Sequence, residues 1–114
     1  MSSKERKLLR DIRKILLSCK GKDNAINASE IAKRLKIKDN RTWIRTRTLI
    51  KKLVKEEGLP IAAHTYGGYY LIENDSELNE YLGSLERRIL EIRDREKTVY
   101  DNFKKFYGIE EIFD

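Results

Sequence analysis

The apolar residues at the start of the chain recur at helical intervals. Leu8, Leu9, Ile12, Ile15 and Leu16 fall on one stripe with Lys and Arg opposite, which predicts a helix over residues 3–19 stopped by Gly21. Asn24-Ala25-Ile26 is a short lead into Asn27-Ala28-Ser29-Glu30. Asn27 with Glu30 three residues on forms a capping box, so a second helix should run from about Ala28 to Leu35. Its inward face is narrow, made of Ile31 and Leu35 with Ala28 and Ala32. Lys36-Ile37-Lys38 is a tight connection, and Asp39 or Asn40 caps a third helix that ends near Glu57, at Gly58 and Pro60.

The period then changes from helical to alternating. Ile61-Ala62-Ala63-His64 and Tyr69-Tyr70-Leu71-Ile72 are short strand candidates around Thr65-Tyr66-Gly67-Gly68, where glycine supplies the positive φ of a hairpin turn. Alternation puts one of Tyr69 and Tyr70 in the core and leaves the other exposed. Asn74-Asp75-Ser76 caps a fourth helix that continues to about Tyr107, with Gly108 as its stop. Two regions result, a compact domain at 1–74 and a long helix at 75–114.

That last helix has a different pattern from the others. Leu78, Leu82, Leu85, Ile89, Ile92, Glu96, Val99, Phe103 and Phe106 follow a strict 4-3 spacing with Glu96 as the one polar member. Such a run is a coiled-coil seam rather than the broad face of a domain helix, and it needs a partner. A second copy is the economical one, which makes Leu78, Leu82, Leu85, Ile89, Ile92, Val99, Phe103 and Phe106 the expected homodimer interface. The competing arrangement folds the helix back on the chain's own first helix. A parallel pair sets Arg88 against Arg93, whereas an antiparallel pair sets Glu86 against Arg93. Glu96 is costly in the seam unless Arg or Lys meets it.

Charge is also uneven along the chain. Residues 1–58 carry 18 Lys+Arg and 7 Asp+Glu, and residues 59–114 carry 7 and 12, so nets of +11 and −5 make up the total of +6. A basic half facing a polyanion and an acidic half facing protein is one reading, and a lysine-rich solvated surface is the plainer one. No apolar run is long enough for a spanning helix, and the opening residues lack the apolar core of a signal peptide. The expected setting is cytoplasmic, in a microbe or an infected host, in association with the nucleoid. The single Cys19 cannot form an internal disulfide, and no Cys/His cluster has metal-ligand spacing. There is no phosphate-cradling Gly loop with its Lys and no nucleophile with a plausible His partner. The expectation is therefore a protein with no enzymatic activity, no cofactor, no metal and no membrane.

Ala28-Ser29-Glu30-Ile31-Ala32-Lys33-Arg34-Leu35 resembles the first helix of many bacterial helix-turn-helix units. Leu53 to Ile61, reading L-V-K-E-E-G-L-P-I, and Gly67-Gly68-Tyr69-Tyr70-Leu71 are similar to the recognition-helix end and wing of the biotin-repressor-like winged-helix group. The likeness covers roughly residues 8–72, and small phage and mobile-element regulators and replication proteins share it. It implies a mainly α fold, a three-helix winged helix-turn-helix with a two-stranded wing, and double-stranded DNA as partner. The ligase chemistry of the biotin repressor has no counterpart here. One position departs from the group. Where an apolar residue usually stands one turn into the recognition helix, this chain has Arg47 beside Trp43, so either Trp43 fills that core position or the helix is turned.

Projected at helical spacing, residues 41–55 place Trp43, Ile50 and Val54 inward with Leu49 and Leu53 beside them. Arg41, Arg45, Thr48 and Lys52 then face outward, with Lys55 at the edge and Thr42, Thr46 and Arg47 on the flanks. Arg reads guanine through two parallel hydrogen bonds, Thr meets a base edge or a thymine methyl, and Lys holds phosphate. With Thr65 and Tyr66 at the wing tip, the expected DNA contacts are Arg41, Thr42, Arg45, Thr46, Thr48, Lys52, Thr65 and Tyr66. Lys4, Lys7, Arg10 and Lys14 share a face of the first helix, placed for phosphate or for solvent. His64 is more simply a packed or surface residue than a phosphate ligand. The expected function is a dimeric, sequence-specific DNA binder, a transcriptional regulator or an origin-binding replication factor of a phage or mobile element. The alternative is an adaptor of a replication or transcription protein that uses the winged helix and the aromatic end (Tyr100, Phe103, Phe106, Tyr107, Phe113).

Overall fold

A computed structural model describes residues 2–64 and 68–109. The expected contacts at Thr65 and Tyr66, and Phe113 of the aromatic end, lie outside the described residues. The described part is mainly helical: α1 (Ser3–Ser18), a 3-10 turn (Lys22–Asn24), α2 (Ala28–Leu35), α3 (Ile44–Glu57), β1 (Ile61–His64), β2 (Gly68–Leu71) and α4 (Asp75–Phe106). It divides into two compact units, Met1–Leu78 and Asn79–Asp114. The division falls a turn later than residue 74, because the first turn of α4 is tied into the first unit. Glu77 accepts from the Lys22 amide at 2.8 Å and from the Glu73 amide at 2.9 Å, while Asn74 Oδ1 accepts from the Glu77 amide.

The first two helices start on side-chain caps. Ser2 caps α1 by accepting from the Glu5 amide, and Asn27 caps α2 by accepting from the Glu30 amide at 2.9 Å. The α2 end is a Schellman turn, with the Ile37 amide reaching Ala32 O and the Lys36 amide reaching Lys33 O. Lys36 takes the left-handed position that glycine usually fills, at φ 54°. Ile37, next in the turn, is buried, which holds the turn against the core.

The core is one cluster. Leu9, Ile12 and Leu16 from α1 meet Ile31 and Ala32 from α2, Leu49, Ile50 and Leu53 from α3, and Ile26, Ile37, Leu59 and Ile61 from the connections and β1. Burial of each large aliphatic side chain stabilises by roughly 1.5–3 kcal/mol.

β1 and β2 pair antiparallel with Ile61 opposite Leu71 and His64 opposite Gly68. β2 also bonds on its other side. Ile26 and Tyr69 exchange both backbone hydrogen bonds, at 2.8 and 2.7 Å, and Leu71 bonds to Cys19 and Gly21. Strand β2 is thus central, flanked by β1 and by the connection between α1 and α2. This changes the expectation for the tyrosines. Tyr70 is buried as expected for one of the pair, but Tyr69 is half-buried against the core rather than exposed. Gly68 has φ +89°, and a Cβ there would run into the carbonyl oxygen of Ile26.

In the second unit, α4 runs unbroken to Phe106 and contains no buried residue. Its end is a second Schellman turn, with Gly108 at the left-handed position and the Ile109 amide on Lys104 O. No helix among the described residues is long and apolar enough to cross a membrane.

Candidate nucleic-acid interface

The approach to α3 is set by two side chains upstream of it. Asn40 Oδ1 accepts from the amides of Thr42 and Ile44, at 3.1 and 3.2 Å. Asp39 accepts from the Arg45 amide at 3.1 Å, the Thr46 amide at 2.7 Å and the Thr46 hydroxyl at 2.8 Å. Asp39 and Asn40 are therefore the caps, as their residue types suggest, but the helix they cap starts at Ile44. Residues 40–43 form a turn between the caps and the helix, and Trp43 closes it in the left-handed region at φ 58°. Partial burial would raise the Asp39 carboxyl. The hydrogen bonds from Thr46, Arg45 and Asn40 outweigh that and lower it to about 2.

This geometry turns the helix. The buried positions of α3 are Thr46, Leu49, Ile50 and Leu53, while Trp43 and Val54 are only half-buried. At 100° per residue the outward face is shifted by roughly 60° from the one the apolar pattern gives. The core position one turn into the helix belongs to neither Trp43 nor an aliphatic residue. Thr46 fills it, made tolerable there because Asp39 satisfies its hydroxyl.

The stripe that faces solvent is Ile44, Thr48, Lys51 and Lys55, all exposed, with Arg45 and Lys52 on one flank and Arg47 on the other. Arg45 and Thr48 are thus where the sequence reading put them. Arg41 and Thr42 are exposed but precede the helix, in the turn. The Thr42 hydroxyl is engaged with Asn40 at 3.0 Å, and its carbonyl accepts from Arg47 at 3.1 Å. Thr46 is a correction: at 0% exposure, with amide and hydroxyl both on Asp39, it has no surface to offer a phosphate. Lys52 is partly covered and its Nζ lies 3.3 Å from Glu5 Oε1 on α1.

Two residues escaped the sequence reading, Ile44 and Lys51. Ile44 is 54% exposed, an aliphatic side chain in the middle of a polar stripe. Counting back from Thr48 and Lys55 by helical steps would have found both, had the inward face been centred on Thr46. A polar residue gives no signal of burial in a hydropathy pattern, so that centre was invisible. On α1, Lys4, Lys7, Arg10 and Lys14 are exposed, whereas Arg13 is paired with Glu57 at 3.3 Å. Beside the amino end of α3, Ser29, Lys33, Lys36 and Trp43 line an open cleft.

The stripe combines cations, a hydroxyl and one branched aliphatic group on a rigid, capped helix. Chemically it can hold phosphates through Lys51 and Lys55, donate in parallel pairs from Arg45 or Arg47, and place apolar contact at Ile44. Compared with known proteins, the chain matches no family model, no curated protein and no solved structure.

Proposed function

We propose that the first unit is a winged helix-turn-helix that binds double-stranded DNA with α3 in the major groove, and that the protein acts without enzymatic chemistry as a dimeric regulator or origin-binding factor. The order of elements supports this reading, as does strand β2 lying between β1 and the connection after α1. In it α2 and α3 are the helix-turn-helix and the β1–β2 hairpin is the wing. The observation that carries the proposal is the outward stripe Ile44, Thr48, Lys51 and Lys55 with Arg45 and Arg47 beside it. Cations at its edges position the helix on phosphates, while Ile44 and Thr48 suit a thymine methyl or a base edge.

Selection of duplexes from a random pool, followed by anisotropy titrations at several salt concentrations, tests it. Replacing Arg45, Arg47, Thr48 or Ile44 by alanine should narrow the gap between selected and random duplex. Replacing Lys51 or Lys55 should weaken both alike. An absence of duplex binding at low salt would overturn the proposal. It would favour the adaptor reading, whose surface is the exposed aromatic end of α4, where Phe106 and Tyr107 are 82% and 63% exposed and meet edge to face with ring centroids 5.0 Å apart.

A further inference from the structure

Helix α4 is a single uninterrupted element of 32 residues, about 48 Å long, and none of its side chains is buried. Its apolar 4-3 positions other than the half-buried Leu85 are exposed, with Leu82 47%, Ile89 50%, Ile92 61%, Val99 61% and Phe103 55% open to solvent. An apolar stripe of that length, regular to one heptad step after another, fits another stripe of the same kind. The charges beside the stripe then decide which way the second copy runs.

In a parallel, in-register pair each seam residue meets its own copy. Glu96 would face the partner's Glu96 inside the seam, and Arg88 would face the partner's Arg93 on both flanks. All of these contacts are repulsive. In an antiparallel pair centred between Leu90 and Glu91, Ile89 meets the partner's Ile92 and Leu82 meets the partner's Val99. Leu85 meets the partner's Glu96, and Leu78 meets the partner's Phe103. The two Glu96 residues then sit about 16 Å apart along the axis. Glu86 falls beside the partner's Arg93 on either side of the centre, and that Arg93 also has Glu96 one turn along its own helix. The other flank brings Arg88 near the partner's Arg95, the one repulsive pairing of this register, with Glu91 within one turn of each arginine on its own helix.

We infer that α4 pairs antiparallel with α4 of a second copy in this register, with Glu86 and Arg93 selecting the orientation. The inference rests on the dimer named in the proposed function but not on DNA binding, because its test contains no DNA. Sedimentation equilibrium of the full chain gives the dimer dissociation constant. Arg93→Glu sets two carboxylates together in the antiparallel pair and should weaken dimerisation about tenfold, and Glu86→Arg should do likewise. The double variant Glu86→Arg with Arg93→Glu should return to within about threefold of the parent. A parallel pair predicts the opposite sign for Arg93→Glu, which would then attract Arg88, so tighter dimerisation would overturn the inference. A chain that stays monomeric at tens of micromolar would overturn it too.

Cysteine pairing gives a second readout that does not depend on charge. Chains carrying Leu82→Cys should cross-link on oxidation with chains carrying Val99→Cys and not with themselves, with the buried Cys19 left in place. Self-cross-linking of Leu82→Cys chains alone would show the parallel arrangement.

Discussion

Lys52 Nζ lies 3.3 Å from Glu5 Oε1, so a cation on α3 is already neutralised by the first turn of α1. Its neighbour Lys51 points to solvent at the centre of the stripe. On the proposed reading, Lys51→Ala should lower the steepness of log K against log salt by about 0.9, the loss of one phosphate contact. Lys52→Ala should leave that slope nearly unchanged, since a phosphate there would only replace Glu5. The same substitution should cost no more than about 1 kcal/mol in denaturant unfolding, as a partly exposed pair does.

Asp39 supplies a pH dependence with a defined sign. Its carboxyl is lowered from 3.8 to about 2 in the folded chain. The stability it contributes is therefore complete above pH 4–5 and fades as pH falls through about 2. Asp39→Asn should cost about 1–3 kcal/mol at pH 7 and flatten the loss of stability between pH 4 and pH 2. Urea titrations of parent and variant across that range would check both.

Gly68 and Gly58 both have positive φ, at 89° and 66°, but only one is enclosed. A Cβ at Gly58 meets nothing within 4 Å, so Gly58→Ala should cost only the left-handed conformation, about 1 kcal/mol. At Gly68 the Cβ would strike the Ile26 carbonyl and come within 2.5 Å of Asn27 Cα, both backbone. Gly68→Ala should therefore cost at least about 3 kcal/mol, or prevent folding, by breaking the Ile26–Tyr69 hydrogen-bond pair. Circular dichroism melts of the two variants separate the two costs.

Lys36 holds a position better suited to glycine. Lys36→Gly relieves the left-handed strain at the end of α2 and should stabilise by about 0.5–1 kcal/mol. Thermal unfolding should shift upward by a few degrees.

The helices were readable wherever a cap and an apolar stripe agreed. Asn27 fixed the start of α2, and Gly108 the end of α4, because side-chain capping and positive φ are local chemistry. The start of α3 was not, although its caps were. Asp39 and Asn40 act across a four-residue turn, a reach of up to seven positions that no local spacing rule contains. The outward face followed the same error, since Thr46 looks polar in the sequence and is buried in the fold. Tyr69 was misjudged for a related reason: its neighbour is Ile26, more than forty residues away, and pairing at that distance leaves no periodic trace.

The two caps of α3 also decide what the amino end of that helix can attract. Helix starts ordinarily present free N–H groups and a partial positive charge, and an anion settles there whatever the sequence behind it. In this protein the amides of Ile44, Arg45 and Thr46 are already taken by Asn40 and Asp39. Asp39 remains ionised there even in dilute acid, so a fixed negative charge occupies the seat a phosphate would use. On the proposed reading, a nucleic acid meeting this end would be held by side chains and not by the helix's own N–H groups. On that reading the lysines of the stripe still hold any phosphate, and selectivity falls to Arg45, Arg47, Thr48 and Ile44.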